Sequence, residues 1–130
     1  SIGDEVFKIL FIQYEEVTVA MQKDLKEKFG NKFRFDTSWA NGLEIQSIDS
    51  GKGVAVKYMK ENVCKNVHTT IGIGDYENDL SLLESSDIGY AVDNAIDSVK
   101  EAADRITVAN TNDAIAAIIE ELENNIDAKQ

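Results

Sequence analysis

Hydrophobic and polar residues follow two different patterns along this chain, and the pattern changes near residue 50. Residues 6–12 form an apolar, β-branched run that predicts a strand. Residues 15–29 carry apolar side chains at every fourth position, which predicts an amphipathic helix. Residues 33–48 alternate between apolar and polar, and Asn41-Gly42 within them predicts a type I′ turn with positive φ at both residues. The first part of the chain is therefore predicted to form a strand, a helix and a β-hairpin.

Helices and strands alternate in the remainder of the sequence. The apolar periodicity predicts helices at residues 54–63, 77–84, 95–103 and 113–122. Short apolar runs between them predict strands at residues 67–74, 88–92 and 106–108. Strands that alternate with helices usually pair in parallel, so this part is predicted to be an α/β layered sheet. The change of pattern predicts two architectural units, residues 1–49 and residues 50–130.

The composition is typical of a soluble globular protein with a strong negative charge. Of 130 residues, 24 are acidic and 13 are basic, which gives a formal net charge of −11. Nucleic acids and anionic membrane surfaces bind clusters of Lys and Arg, so this balance predicts neither as a partner. No apolar run is long enough to span a membrane. Cys64 is the only cysteine, which excludes an internal disulfide and favours a reducing, cytoplasmic location.

Three carboxylates lie within five positions directly after the predicted strand 67–74: Asp75, Glu77 and Asp79. One interpretation is structural, with Asp75 capping the next helix and the other two stabilising its positive end. The other is a site for a hard cation, because Mg²⁺ prefers one or two carboxylates together with phosphate and water oxygens. Ligands of α/β sheets bind at the carboxyl ends of the strands, where these residues lie. The pattern alone leaves both interpretations open.

A family resemblance favours the cation site. The sequence GDYEND at residues 74–79 resembles the G-D-x-x-N-D motif of haloacid dehalogenase (HAD)-like phosphatases, in the Cof-type sugar-phosphatase branch, subfamily IIB. Asn94-Ala95 matches a dipeptide that opens a later helix of that family, and Lys52 takes the position of its motif lysine. The resemblance implies a Rossmann-like parallel core, of which residues 50–130 are the C-terminal part. It also implies that residues 1–49 are the closing part of an α/β cap.

The same resemblance implies an activity and a role for each matching residue. It implies a Mg²⁺-dependent phosphatase that hydrolyses small phosphorylated metabolites, such as sugar phosphates, through an aspartyl-phosphate intermediate. Asp75 would bind Mg²⁺, and Asp79 would be the supporting carboxylate of the metal site. Asn78 would contact the phosphate, and Lys52 would pair with the phosphate and with the nucleophilic aspartate. The predicted catalytic residues are thus Lys52, Asp75 and Asp79.

One part of the family's machinery has no match in this sequence. The family's nucleophile lies in a D-x-D motif, and no D-x-D triplet occurs in these 130 residues. We therefore expect this chain to be a C-terminal fragment that is inactive alone, because the covalent step needs that aspartate. The predicted strand 67–74 would keep an open edge, so we expect self-association or a second chain that completes the sheet. The alternative function is a non-catalytic module that binds metal or phosphate, or that serves in assembly.

Overall fold

The computed structural model describes residues 6–127. The N-terminal part of these residues contains a three-stranded antiparallel sheet. Its strand order is β1-β3-β2, with β1 at Lys8–Ile12, β2 at Phe33–Trp39 and β3 at Gly42–Ser47. Helix α1 (Glu15–Phe29) connects β1 to β2 and has the predicted bounds. We call these four elements the antiparallel unit. Its order of strand, helix and hairpin is the predicted one.

The hairpin between β2 and β3 forms, but its turn differs from the predicted turn. Trp39 pairs with Gly42, so the two-residue loop is Ala40-Asn41 rather than Asn41-Gly42. Neither Asn41 nor Gly42 has a positive φ, so the predicted type I′ geometry is wrong. An irregularity in the pairing between Thr37 and Trp39 shifts the register and draws Gly42 into the strand. The ring of Trp39 lies directly against Gly42 there.

The second sheet is parallel and has the strand order β4-β5-β6. Its strands are β4 (Ile71–Gly74), β5 (Ile88–Val92) and β6 (Arg105–Thr107). Its helices are α2 (Lys52–Tyr58), α3 (Leu80–Ser85), α4 (Asp97–Ala102) and α5 (Ala114–Asp127). We call these elements the parallel unit. They confirm the predicted fold class, an α/β protein with a parallel sheet.

Several predicted elements have different ends in the structure. The predicted helix 54–63 begins earlier, at Lys52, and finishes with the π-helical turn Met59–Val63. The predicted helix 77–84 begins with a 3₁₀ turn, Glu77–Asp79. The predicted strand 67–74 is paired only from Ile71, and the N–H of Thr70 binds the side chain of Asp87.

The buried core of the parallel unit lies around β5, the central strand. Its cluster consists of Leu83, Ala91, Val92, Ala95, Val99 and Ala114. Within residues 6–127, β4 pairs only with β5, so its other edge is open. All five residues of β1 are exposed, which leaves the antiparallel unit less enclosed than the parallel one. Among the described residues, no helix has the length and apolar character needed to cross a membrane.

Candidate active site

Asp75 lies at the carboxyl end of the parallel sheet, one residue after β4. The pairing of β4 with β5 fixes where the chain leaves the sheet. The Asp75 carbonyl accepts a hydrogen bond from the N–H of Ile96 at 3.1 Å, which ties this loop to the start of α4. The side chain of Asp75 is half-buried and lines an open cleft. This is the edge at which α/β sheets bind ligands.

The carboxylate of Asp79 is buried and holds the loop after β4 in shape. Its Oδ2 accepts a hydrogen bond from the backbone N–H of Asp75 at 3.1 Å, and its Oδ1 pairs with Nζ of Lys52. Only 7% of the Asp79 side chain is exposed, so its charge needs the compensation that Lys52 provides. The interpretation of Asp75 as a helix cap is wrong, because the N-cap of the 3₁₀ turn is Tyr76 and Asp79 instead reaches back to Asp75.

Lys52 is the first residue of α2, two positions before the predicted start of this helix. The next residue, Gly53, lets α2 approach α3 closely, since a Cβ there would lie 2.3 Å from the carbonyl oxygen of Ser81. This approach brings Lys52 beside Asp79, which lies 27 positions later in the sequence. Half of the Lys52 side chain is exposed, and it lines the same cleft as Asp75. Lys52 can therefore meet a ligand while it neutralises Asp79.

Asn78 faces the antiparallel unit. Its Nδ2 donates a hydrogen bond to Oγ of Ser38 in β2 at 3.0 Å, and the Ser38 hydroxyl donates in turn to Glu44. Lys8 pairs with the same Glu44 at 2.7 Å. Burial alone would raise the pKa of Glu44, but the hydrogen bonds from Lys8 and Ser38 outweigh it and hold that pKa below its ordinary value. Asn78 thus ends a polar chain that runs through the charged face of the β-hairpin.

Glu77 also contacts the antiparallel unit, a role that the sequence did not suggest. Its carboxylate accepts hydrogen bonds from Gln22, Lys26 and Thr37. Burial alone would raise the pKa of Glu77, but these three partners, Lys26 foremost, hold it below its ordinary value. The carboxylate therefore remains ionised at neutral pH, although it is half-buried.

Asn110 is a candidate site residue that sequence reasoning missed. Its Nδ2 lies 3.4 Å from Oδ2 of Asp75 and donates to it. Asn110 is held by Asn94, whose Oδ1 accepts from the Asn110 N–H at 2.9 Å and whose Nδ2 donates to the Asn110 Oδ1 at 3.1 Å. The predicted topology could have identified Asn110, because the loop after β6 lies at the same edge of the sheet as the loop after β4.

An open cleft of about 800 Å³ joins most of these residues. Its polar lining residues are Lys52, Asp75, Asp79, Asn110 and Asp113. Apolar side chains from β4 and α5, among them Ile73, Ile115 and Ile119, form the rest of the wall. The structure therefore brings the three predicted catalytic residues to one cleft, whereas Asn78 lies outside its lining.

The donor set offers part of a site for a hard cation. In the described part of the chain, the one side-chain hydrogen bond to Asp75 is the long one from Asn110, so its carboxylate can accept a ligand from the cleft. Both oxygens of Asp79 already accept hydrogen bonds. Within residues 6–127, no three or more His, Cys, Asp or Glu side chains are grouped closely enough to hold a metal ion. Asp75 thus fits Mg²⁺ as one ligand of several, the others being phosphate, water or further groups.

The sequence of residues 1–119 matches the family of haloacid dehalogenase-like hydrolases. This chain belongs to that family. Among its HAD-family relatives, a putative phosphatase of Haemophilus influenzae is 35% identical over 114 residues, which are 88% of this chain and 43% of the relative. A 5-amino-6-(5-phospho-D-ribitylamino)uracil phosphatase of Bacillus subtilis is 31% identical, and the match covers 93% of this chain and 46% of the relative.

Solved structures confirm the HAD-like fold. A haloacid dehalogenase-like hydrolase from B. subtilis superposes with a TM-score of 0.80 at 27% identity, covering 92% of this chain and 43% of the other. A sugar phosphatase of HAD subclass IIB superposes with a TM-score of 0.77 at 20% identity, covering 92% and 44%. The predicted resemblance to the HAD family is thereby confirmed. The chain spans less than half the length of each of these proteins.

Proposed function

We propose that the protein containing this chain is a Mg²⁺-dependent phosphomonoester hydrolase of small phosphorylated metabolites, such as sugar phosphates. The observation that carries the proposal is the linked trio of Lys52, Asp79 and Asp75 at the carboxyl end of β4, in a chain of the HAD family. A phosphate dianion and its metal ion need a cation and a free carboxylate on the same wall of a cleft. Lys52 and Asp75 offer these two groups.

Each residue of the trio has a distinct part in this proposal. Asp75 presents its carboxylate to Mg²⁺, and Asp79 supports the metal site by fixing the Asp75 backbone. Lys52 donates to a phosphate oxygen, because half of its side chain is exposed beside Asp79. The predicted phosphate contact by Asn78 would require its amide to leave Ser38, to which it donates here at 3.0 Å. Bound Mg²⁺ would supply Lewis-acid neutralisation of the phosphate charge.

The substrate class is proposed from two neighbours and from the polar face of the antiparallel unit. By their names, one relative acts on a phosphorylated ribityl compound and one structural neighbour is a sugar phosphatase. Both descriptions point to phosphate esters that carry several hydroxyl groups. Ser38 is partly exposed and bonds to Asn78, and its hydroxyl offers a hydrogen-bond partner for such hydroxyls. We propose that the antiparallel unit is the closing part of a cap over the site.

The nucleophile in this proposal is an aspartate from outside these 130 residues, which contain no D-x-D triplet. Its carboxylate oxygen attacks phosphorus, the bond between phosphorus and the ester oxygen breaks, and the leaving alkoxide takes a proton from water. Water then attacks the aspartyl phosphate, which releases inorganic phosphate and a proton and restores the carboxylate. The chain alone would therefore bind without turnover.

The open edge of β4 is the proposed place for the strand that carries this aspartate. The N–H and C=O groups of β4 on that side have no strand partner within residues 6–127. An additional strand at this edge would bring its carboxyl end beside Asp75. In the absence of such a strand, we propose self-association of the chain through the same edge.

The test compares the intact protein with residues 1–130 alone. Phosphate release from a panel of phosphomonoesters is measured with Mg²⁺ and with EDTA, and the mass of the short chain is measured by light scattering. We expect Mg²⁺-dependent release by the intact protein, none by the short chain, and a short chain larger than a monomer. Turnover by the short chain contradicts the external nucleophile. Binding of Mg²⁺ by the intact protein without any phosphate release would favour the non-catalytic alternative.

A further inference from the structure

Glu77 receives four hydrogen bonds from the antiparallel unit. Gln22 Nε2 and Lys26 Nζ, both on α1, donate to its carboxylate at 2.6 and 2.7 Å. Thr37 donates twice, from its hydroxyl at 2.6 Å and from its backbone N–H at 3.0 Å. Glu77 lies 40 positions after Thr37, so one side chain of the loop after β4 joins two elements that are distant in sequence.

These hydrogen bonds do more than stabilise the N-terminal end of a helix. The carboxylate of Glu77 is directed at α1 and β2, and the 3₁₀ turn that it begins has no side-chain cap. Hydrogen bonds to a charged acceptor are about twice as strong as bonds between neutral groups. Four such bonds on one half-buried carboxylate identify Glu77 as the principal polar contact between this loop and the antiparallel unit.

The free edge of β2 explains why residue 77 is an acid that accepts hydrogen bonds. β2 is an outer strand of its sheet, so alternate backbone groups face away from β3. Gln22 satisfies one of these groups, the carbonyl of Phe35 at 2.9 Å, and Glu77 satisfies another, the N–H of Thr37. Gln22 also bonds to Glu77, which links both edge contacts. The loop after β4 therefore docks onto β2 by completing the hydrogen bonds of its free edge.

The hydrogen bonds between the loop after β4 and β2 lie next to the proposed site. Glu77 binds Thr37, and the next residue, Asn78, binds Ser38, the next residue of β2. Two consecutive residues of the loop thus pair with two consecutive residues of the strand. Since Asp75 and Asp79 bracket this pair and are bonded to each other, a shift of β2 would be transmitted to the loop.

We propose that Glu77 is a positioning residue that fixes the antiparallel unit against the loop after β4 and thereby sets how the non-phosphate part of the substrate is held. This rests on the proposed phosphatase function. Glu77 acts through Thr37 and Ser38 and touches neither phosphate nor metal. Without its carboxylate, β2 loses a partner for its edge, and Ser38 loses its fixed place beside Asn78.

The test uses the intact protein with Glu77→Ala and Glu77→Gln, which keeps the volume but removes the charge. Glu84→Gln, at an exposed position on α3, is the matched control. The first readout is hydrogen exchange of the Thr37 amide, which needs no activity. We expect exchange about tenfold faster in Glu77→Ala, a smaller rise in Glu77→Gln and none in the control. Unchanged exchange in Glu77→Ala overturns the proposal.

The second readout separates positioning from mere stabilisation. With the sugar phosphate that the unmodified protein hydrolyses fastest as the probe, at a temperature where circular dichroism shows all variants folded, we expect KM to rise about fivefold or more in Glu77→Ala. A purely structural role would lower the active fraction, and hence kcat, at an unchanged KM, and that result overturns the proposal. Absence of hydrolysis in the unmodified protein would contradict the phosphatase function, while the exchange measurement would still test Glu77.

Discussion

The ammonium group of Lys52 pairs with the buried carboxylate of Asp79 and so joins the first turn of α2 to the loop after β4. The other oxygen of Asp79 accepts the N–H of Asp75 at 3.1 Å. The Asp79 carboxylate therefore orients both the ammonium group of Lys52 and the candidate metal ligand Asp75. Asp79 is buried and Lys52 is half exposed, so the loss of Lys52 would leave an uncompensated buried charge on Asp79.

Replacement of Lys52 by Met is expected to destabilise the fold as well as the site. Asp79 would keep its bond to the Asp75 amide but would lose the partner that neutralises it. We expect the free energy of unfolding to fall by about 1–3 kcal/mol, as for a buried acceptor that loses a charged donor. Urea denaturation measures this, with Lys57→Met, an exposed position on the same helix, as the control. Equal stability of the two variants would contradict a stabilising role for the ion pair between Lys52 and Asp79.

Gly74→Ala is expected to displace Asp79. A Cβ at position 74 would lie 2.5 Å from the Cβ of Asp79 and 2.8 Å from Cδ1 of Leu83, so these groups must move. We expect a loss of about 1–3 kcal/mol of stability, typical of an overpacked core. Gly89→Ala is a graded control, because its closest contact would be 3.1 Å, to the Cβ of Leu83. Thermal unfolding that ranks Gly89→Ala as the more damaging change would be inconsistent with this packing.

Asn110→Ala is expected to weaken the response to Mg²⁺ without unfolding the protein. Asn110 is exposed and orients the Asp75 carboxylate through a 3.4 Å hydrogen bond. Partners that orient a metal ligand affect metal affinity, so we expect the Mg²⁺ concentration for half-maximal activity to rise about three- to tenfold. Asn112→Ala, in the same loop, is the control. A Mg²⁺ titration curve that is unchanged in Asn110→Ala would remove Asn110 from the site.

Asp87 is expected to make stability depend on acid pH. The ammonium of Lys60 and the hydroxyl and N–H of Thr70 hold the pKa of Asp87 well below its ordinary value of 3.8. A lowered folded pKa means that the carboxylate stabilises the fold above pH 3.8, and that this contribution is lost as the pH falls through the folded pKa.

Two measurements check this pH dependence. The carbon chemical shift of the Asp87 carboxyl group should titrate below pH 3.8, and Asp87→Asn should flatten the fall of stability in acid. Asp49→Asn, at an exposed loop position, is the control and should leave that slope in place. A titration midpoint at or above 3.8 would contradict the hydrogen bonds from Lys60 and Thr70.

The parts of the fold that follow local rules were predictable from the sequence. The bounds of α1 and β5 agree with the prediction because each has a clear apolar period or run between polar residues. The position of Asp75 followed from a rule of topology, since residues after a parallel strand lie at the ligand-binding edge. Lys52 pairs with Asp79, whereas the resemblance implied the phosphate and the nucleophilic aspartate as its partners.

The parts that depend on packing between distant segments were not predictable. Glu77 contacts α1 and β2 only because the two units meet, and no spacing in the sequence encodes that contact. The β2–β3 turn is displaced by an irregularity in strand pairing, which overrides the preference of Asn-Gly. β4 begins at Ile71 rather than at residue 67, and the Thr70 amide binds the distant side chain of Asp87.

The most direct test of the central claim is Asp75→Asn in the intact protein. The amide keeps the shape of the side chain but removes the charge that Mg²⁺ requires, whereas Asp97→Asn, at an exposed position on α4, serves as the control. We predict that Mg²⁺-dependent release of phosphate from p-nitrophenyl phosphate falls about a hundredfold or more in Asp75→Asn and is retained in Asp97→Asn. Undiminished turnover in Asp75→Asn would contradict the assignment of this strand end as a metal-dependent phosphatase site.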